Sequence, residues 1–322
     1  MEFRLEFTPQ SPFKKIDIHD SILLIGSCFT EHLYTKLKEY KFSVIQNPNG
    51  TLFNPISIFK ALDSYIGLDV PHEHDLFFQN GLWNDWNFHS AYSHESKDQA
   101  LSIMTEQINQ SNIFLKNADW IFVTLGSAFV YQKQDKKVVA NCHKLPNNEF
   151  SKRLLDPDEI INTFYFLYER LKLFNPKIKI IFTISPVRHL RDGFVENNRS
   201  KAVLIYAIDR IMQKFQDCIY FPSYELIVDD LRDYRFYAED MVHPNYLATK
   251  YVWDKFASTF INGKTREVIK EIDQLNIAMS HIPMHPDSVE HKKFVHKFRE
   301  LTFYLSDKFP DLDFSKEKLH FG

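Results

Sequence analysis

The amino-acid sequence predicts an α/β protein, a three-layer sandwich around a mainly parallel five-stranded sheet, followed by a C-terminal helical extension. Short apolar runs of strand length alternate with segments of helical periodicity, which favours this fold class. The short apolar runs fit strands that are buried on both faces of a parallel sheet. Past residue 264 the helical patterns follow one another without strands between them.

The strand and helix patterns follow each other regularly along the first part of the chain. The clearest helix start is at Asp156, a capping residue followed by Pro157 at the first helical position. Since ligands bind beyond the carboxyl ends of strands in such sheets, site residues are expected there. Strands are predicted at 21–26, 43–46, 119–125, 178–185 and 218–221, and helices at about 28–40, 157–174, 200–216 and 246–260.

Two regions are predicted. Residues 1–264 form the α/β domain, with an irregular insertion at about 71–97, and long loops of this kind are often functional. Residues 265–322 form a helical extension packed on the same domain, with helices at 265–276 and 287–307. Asp287 and Glu290 have the spacing of a capping box at the start of the second of these helices.

Composition excludes several classes of protein. The chain has 322 residues with 39 basic and 42 acidic side chains, and this net charge of −3 argues against a nucleic-acid-binding protein. Only 8 residues are glycine, and neither a dinucleotide-binding nor a P-loop glycine motif occurs, so no nucleotide cofactor is expected. No apolar run has the length of a membrane span or signal peptide, and the 3 cysteines are widely spaced. These features favour a cytoplasmic location.

The first candidate for chemistry is Ser27 in the segment LLIGSCFTEH. It follows a buried strand and a glycine, and a helix begins directly after it. Its hydroxyl would therefore lie at the carboxyl edge of the sheet, beside free backbone N–H groups that stabilise negative charge. The alternative is a simple helix N-cap, which is favoured when Ser27 is considered alone.

The second candidate is the pair Asp240 and His243 in EDMVHPNYLATKY. A spacing of three in a turn can place the carboxylate on the imidazole and fix its tautomer. The alternative is a capping aspartate beside a surface histidine. A serine after the first strand together with a late D-x-x-H is rarer than either feature alone, so the combination favours catalysis.

These residues resemble the GSCFA family, named for a segment that stands here as Gly26-Ser27-Cys28-Phe29, with Thr30 in place of the final alanine. That family is similar to the SGNH hydrolases, which have a flavodoxin-like α/β fold and a serine nucleophile. The resemblance implies Ser27 as nucleophile, His243 as general base and Asp240 as the orienting acid. Further matching segments are NPNGTLFNP (47–55), TLGSAFVY (124–131), NCHKLP (141–146) and SPVRHLRDGFVENNRSKA (185–202).

The SGNH pattern also implies two oxyanion donors. Gly50 is placed to be the first, but Ala128 stands where an asparagine is expected and has no side-chain donor. Loss of one such donor can cost about 10²–10³ in rate, so a substitute is expected in an active enzyme. Candidates are Asn54, Asn141 and His143, with ordinary loop hydrogen bonding as an equally weighted alternative for each.

Three further groups of residues could contribute to a site. Arg188 and His189 follow the fourth strand, where Arg188 can hold an anionic group of the substrate or, as favoured here, pair with Asp192. Cys28 is interpreted as a buried small residue that points away from the site. The insertion contains residue types that bind metal ions, but no complete ligand set is visible there. The residues concerned are His72, His74, Asp75 and His89.

The sequence thus predicts a serine-dependent ester hydrolase or acyltransferase that acts on a small acyl or carbohydrate ester, without a metal or other cofactor. No nucleic-acid partner and no membrane span are expected. One alternative is a catalytically impaired binding protein on the same fold, which the absence of a donor at Ala128 motivates. A metal-dependent hydrolase that uses the His72 region is the third hypothesis.

Overall fold

The computed structural model describes residues 4–11 and 15–322 of the chain. The strands in this part form one five-stranded parallel sheet and two small antiparallel sheets. The strands are β1 (Ser21–Gly26), β2 (Ser43–Gln46), β3 (Phe77–Gln79), β4 (Leu82–Asn84), β5 (Trp120–Leu125), β6 (Phe129–Gln132), β7 (Val138–Val139), β8 (Ser151–Leu154), β9 (Lys179–Ile184) and β10 (Cys218–Phe221).

The central sheet has the order β2-β1-β5-β9-β10 with all strands parallel. This is the doubly wound order in which the chain first builds outward from β1 and then crosses to the other side. The carboxyl ends of β1 and β5 are therefore adjacent at the topological switch point, with Gly26 opposite Thr124. The five predicted strands and the flavodoxin-like α/β class are confirmed.

The helices cover both faces of the sheet. The predicted helix at 157–174 is confirmed, and Asp156 caps it by accepting from the amide of Asp158. The helices are α1 (Thr30–Glu39), α2 (Pro55–Gly67), α3 (Lys97–Asn117), α4 (Pro157–Phe174), α5 (Gly193–Lys214), α6 (Ser223–Glu225), α7 (Tyr246–Phe260), α8 (Gly263–Met279), α9 (Val289–Lys308) and α10 (Ser315–Phe321).

Two predicted helix starts were wrong. Helix α5 begins at Gly193 rather than 200, because its first turns bury the polar residues Asn197 and Ser200, which do not read as an apolar stripe. Helix α9 is capped by Ser288, whose hydroxyl accepts from the amide of His291, and not by Asp287. Ser288 lies one residue after Asp287, and its backbone is extended, as an N-cap requires.

Alternate residues of each central strand face opposite helical layers. In β1, Leu23 and Ile25 belong to the apolar cluster covered by α2 to α5, whereas Ile22 and Leu24 belong to the cluster on the opposite face. That second cluster is covered by α1 and α7 and by the three C-terminal helices α8 to α10. The predicted three-layer sandwich is therefore confirmed, and residues after 264 extend one of its outer layers. No helix in the described ranges is long and apolar enough to cross a membrane.

The segment 71–97 is more regular than the sequence predicted. Strands β3 and β4 form an antiparallel hairpin closed by Asn80 and Gly81, both with positive φ, and a 3₁₀ turn follows at Ser90–Tyr92. Such a two-residue turn suits the twist of a hairpin. The clustered histidine, tryptophan and asparagine residues obscured the short strands in the sequence pattern.

Candidate active site

Gly26 ends β1 in a backbone conformation that no other residue can adopt here. Its φ is +138°, and a Cβ at this position would lie 2.1 Å from the carbonyl oxygen of Thr124 on β5. Its amide donates to Oδ1 of Asn47 over 2.8 Å. The close approach of the two strand ends turns the chain sharply into α1, so the next residues lie at the sheet edge.

Ser27 and Cys28 point in different directions after this turn. The Ser27 side chain is fully buried, and its Oγ has no hydrogen-bond partner among the described residues. Cys28 is half-buried, and its Sγ lies 4.0 Å from Nε2 of His243. The expectation that Cys28 points away from the site is therefore wrong. Since the helical turn begins at Ser27, whose carbonyl accepts from the amide of Thr30, successive side chains cannot share one direction.

Asp240 and His243 are brought together as their spacing predicts. Oδ2 of Asp240 lies 2.6 Å from Nδ1 of His243, and Oδ1 accepts from the amides of Val242 and His243 at 2.9 Å each. These hydrogen bonds lower the pKa of Asp240 to about 2, so the carboxylate is an acceptor only. Nδ1 of the neutral imidazole must then carry the proton, which leaves the lone pair of Nε2 facing the Cys28 thiol.

The loop that carries this pair is held by Arg188. The Arg188 amide donates to the carbonyl of Val242, and its guanidinium lies 4.5 Å and 5.1 Å from the ring centres of Tyr237 and Tyr234. The expected pairing of Arg188 with Asp192 is wrong, because Asp192 pairs with Lys152. The two tyrosine rings offer Arg188 a stacking surface close to the loop that carries Asp240 and His243.

The surroundings of Cys28 disfavour its thiolate form. Burial raises its pKa above the ordinary value, and the carboxylate of Glu31 raises it further. The nearby backbone amides of Cys28 and Phe29 oppose this rise in pKa, because N–H groups stabilise the thiolate form. Neither amide donates to a backbone carbonyl among the described residues, so both remain available at the start of α1.

Gly50 does not offer a free donor. Its amide donates to the carbonyl of Asn47 over 2.7 Å within the turn after β2, so the predicted oxyanion role of this amide is corrected. Glycine is needed here for another reason: φ is +80°, and a Cβ would lie 2.2 Å from Cβ of His89. The residue therefore lets the insertion pack against the turn.

All three candidate substitutes take part in loop hydrogen bonds, Asn141 through its side-chain oxygen. Asn54 caps α2 through Ser57, and Oδ1 of Asn141 accepts from the amide of His143 over 2.8 Å. His143 is buried, with Nε2 2.8 Å from the carbonyl oxygen of Asp85. These contacts are ordinary loop hydrogen bonds, which the sequence analysis gave as the alternative to an oxyanion role. Asn54 and Asn141 also line the cavity described below.

Ala128 lies in a loop whose amides are also occupied. Its own amide donates to Oγ of Ser200 over 2.7 Å. The amides of Gly126 and Ser127 both donate to the carbonyl of Phe53, at 2.8 and 2.9 Å. This loop therefore aims none of these three amides at the site.

Sequence reasoning missed Lys201, which lies on α5 behind this loop. Only 2% of the residue is exposed, and Nζ donates to the carbonyls of Gly126 and Ser185 at 2.7 Å each. Burial lowers its pKa to about 7. A lysine at the polar start of a helix is normally interpreted as a solvated side chain. The only sequence feature that pointed to Lys201 was its position in the family-like segment 185–202.

A cavity of about 540 Å³ lies beside Ser127 and His189. Burial, with a contribution from Lys201, lowers the pKa of His189 to about 4, so this imidazole is neutral at neutral pH. The Phe53 ring meets it edge-on at 5.7 Å. Aromatic and amide side chains are combined in the lining, which includes Phe53, Phe129, Tyr131, Asn54 and Asn141.

The histidines of the insertion are not gathered around one point. The rings of His72 and His74 stack on each other, and Nε2 of His74 lies 3.8 Å from a carboxylate oxygen of Asp75. His89 instead caps a 3₁₀ turn, where its Nδ1 accepts from the amide of Ala91. Across residues 4–11 and 15–322, no group of three or more such side chains is placed to hold a metal ion.

The sequence model of the GSCFA family matches residues 21–256, and that of the GSCFA domain protein, C-terminal domain, matches residues 272–322. The chain belongs to the GSCFA family. No curated protein sequence matches it. The name-giving segment of the family can now be read residue by residue: Gly26 allows the close strand contact, Ser27 is buried, Cys28 faces His243, and Phe29 offers a free amide.

Solved structures similar to this GSCFA protein include a carbohydrate esterase of family 3 from Talaromyces cellulolyticus. It is 10% identical with a TM-score of 0.36, over 78% of this chain and 99% of the other. An acetyl xylan esterase from the rumen bacterium Butyrivibrio proteoclasticus is 12% identical with a TM-score of 0.38, over 76% of this chain and 66% of the other.

Proposed function

We propose that this protein is an ester hydrolase or acyltransferase that works through a covalent acyl-cysteine intermediate. Cys28 is the nucleophile, His243 the general base and Asp240 the group that orients the imidazole. The observation that carries the proposal is the unbroken series from Cys28 Sγ, 4.0 Å from Nε2 of His243, to the 2.6 Å contact of Nδ1 with Asp240. Contacts of this kind are often long before substrate binds and shorten in the complex.

The reaction begins with proton transfer from the Cys28 thiol to Nε2 of His243. Because burial raises the pKa of the thiol, His243 must generate the thiolate at the moment of attack. The sulfur then bonds to the ester carbonyl carbon, and the carbonyl π electrons move to its oxygen. When this oxyanion collapses, the carbon–oxygen bond breaks and the alcohol leaves with the proton from His243, which leaves a thioester on Cys28.

The second half of the reaction returns the free enzyme. His243 removes a proton from water, which attacks the thioester, and the sulfur leaves as a thiol by regaining that proton. In a transferase, the hydroxyl of an acceptor takes the place of water. The free amides of Cys28 and Phe29 are the proposed oxyanion donors, which supports activity despite the missing side chain at Ala128.

The substrate is proposed to be a small acyl or carbohydrate ester. The cavity of about 540 Å³ has room for a sugar ring or a short acyl chain, and it combines aromatic faces with amide groups. Tyr131 and Phe129 offer surfaces on which a sugar ring can stack, and Asn141 offers hydrogen bonds to its hydroxyls.

Turnover of p-nitrophenyl acetate by three single variants tests the proposal. Cys28→Ala and His243→Ala should each reduce the rate by about 10³-fold or more, because each removes a partner of the nucleophilic step. Ser27→Ala is the matched control, since it deletes a buried hydroxyl one residue away, and should stay within a few-fold of wild type. Mass spectrometry of the quenched reaction should find the acetyl group on Cys28.

Two outcomes would reject this mechanism. Acetylation of Ser27, with loss of activity in Ser27→Ala, would restore the serine mechanism predicted from the sequence. Absence of turnover and of any acyl-enzyme in the wild type, for acetyl and longer acyl esters alike, would favour the binding protein that the missing donor at Ala128 suggests.

A further inference from the structure

The cavity of about 540 Å³ carries an excess of positive charge. Its lining includes Lys152, Arg191 and Asp192, and Lys152 forms an ion pair with Asp192. Arg191 is left without a partner, because its guanidinium has no ion pair, hydrogen bond or ring contact in the part of the chain that the structure describes. The whole protein has a net charge of −3, so this excess is a local property of the cavity.

The second cation lies at the aromatic side of the cavity. Nζ of Lys152 is 4.5 Å from the ring centre of Phe129 and 5.5 Å from that of Tyr131, and both rings belong to the lining. Helix α5 begins at Gly193, directly after the lining residue Asp192, so the positive end of its dipole lies close by. Side-chain and backbone charges together therefore favour an anionic group in this cavity.

His189 adds an unsatisfied polar atom to the same lining. Its Nε2 is buried and has no hydrogen-bond partner among the described residues. Because burial lowers the pKa of this imidazole to about 4, the ring is neutral and has one donor and one acceptor. A buried polar atom without a partner is costly, and a ligand hydroxyl can supply the missing hydrogen bond. Asn54 and Asn141 offer further amide groups to such a ligand.

We propose that this cavity binds a sugar that carries an anionic group, a carboxylate or a phosphate, and that Arg191 selects it. A guanidinium offers paired N–H donors that match either group. Arg188, for which the sequence left such a role open, stacks on Tyr234 and Tyr237 and does not line the cavity. The inference deepens the proposed function, on which it rests for assigning the cavity to the ester substrate.

Direct binding of three sugars to the full chain tests the inference without turnover. Dissociation constants for D-glucuronate, D-glucose 6-phosphate and D-glucose are measured by ligand-observed NMR titration at low ionic strength. One or both anionic sugars should bind at least about 10-fold more tightly than glucose, because a contact between arginine and an anion is a charge-assisted hydrogen bond. The tighter of the two identifies the anionic group. Propionate, a carboxylate without a sugar ring, should bind more weakly than glucuronate.

Three variants assign the preference to its residues. Arg191→Gln should lower the affinity for the anionic sugars to that for glucose, while glucose binding stays largely unchanged. Arg199→Gln is the matched control, because Arg199 lies on α5, pairs with Glu196 and does not line the cavity, so it should keep the preference. His189→Phe keeps an aromatic ring but removes its nitrogens, and it should weaken the binding of all three sugars alike. Since Arg191 is exposed, Arg191→Gln should fold normally, which circular dichroism verifies.

Four results would overturn the inference: equal affinity for glucose and both anionic sugars, no binding of any of the three, propionate binding as tightly as glucuronate, or an undiminished preference in Arg191→Gln. The binding result and the proposed function can fail separately. Absence of ester cleavage together with the expected preference would reject the proposed function alone, whereas ester cleavage without the preference would reject the role of Arg191 alone.

Discussion

The sulfur of Cys28 lies 4.0 Å from Nε2 of His243, whereas the hydroxyl of the preceding Ser27 is fully buried without a partner among the described residues. Two small nucleophilic side chains thus stand side by side in the chain, and the turn after Gly26 decides which one faces His243. The chemistry proposed for the site depends on backbone geometry as much as on residue type.

Asp240→Asn should lower kcat for ester cleavage by about 10²–10⁴-fold, because an amide can donate to Nδ1 and favour the wrong tautomer of His243. The measurement is steady-state turnover of p-nitrophenyl acetate. Asp233→Asn is the matched control, since Asp233 makes a similar turn with the amide of Arg235. Equal activity of the two variants would contradict the role of Asp240.

Gly26→Ala should destabilise the protein by about 3 kcal/mol or more, because the new Cβ would lie 2.1 Å from a β5 carbonyl in a strained backbone region. Urea denaturation measures the free energy of unfolding. Gly263→Ala is the control, because nothing lies within 4 Å of a Cβ there and the residue starts α8. A Gly26→Ala protein as stable as this control would show that the strand ends can separate.

His189 should make the fold sensitive to mild acid. Its pKa is about 4 in the folded protein against an ordinary value of 6.5. The stability that neutral His189 contributes to the fold is therefore complete above pH 6.5 and is lost as pH falls toward 4. Between pH 7 and pH 4.5 the wild type should lose about 2 kcal/mol more stability than His189→Gln. Parallel urea titrations at both pH values measure this difference, and identical losses would contradict it.

Lys41 and Glu317 join the turn after α1 to the last helix, with Nζ and Oε1 2.6 Å apart and both side chains largely buried. Glu317→Ala should lower the free energy of unfolding by about 3 kcal/mol, because it leaves the Lys41 ammonium buried and unpaired. The double variant Lys41→Met/Glu317→Leu should recover much of this loss. A double-mutant cycle by urea denaturation measures the coupling, and purely additive losses would show that the pair contributes nothing.

Most of the central fold can be predicted from the sequence, because buried parallel strands are short and apolar. The strand at 218–221 and the helices at 157–174 and 246–260 agree with the structure at both ends. Helix α3 was not predicted. Its buried positions include Ala100 and Ser111, which are small or polar and weaken the apolar periodicity. Such positions are buried by tertiary packing, which the hydrophobic periodicity of the sequence does not reveal.

The site could be predicted only in part. The spacing of three between Asp240 and His243 is local information, and the structure joins the two side chains as expected. The choice between Ser27 and Cys28 depends on a contact between β1 and β5, residues about 100 positions apart in the chain. Lys201 was missed because a buried charge is recognised by its surroundings and not by its neighbours in sequence.

The shared apolar layer on one face of the sheet has a consequence for synthesis on the ribosome. Ile22 and Leu24 of the first strand belong to the same cluster as Leu305 and Phe321 near the end of the chain. Helix α1 contacts β1 directly, but the cluster is complete only when α8 to α10 have joined it. Until then the nascent chain exposes apolar side chains, so we expect slow, late completion of folding and a need for protection from aggregation.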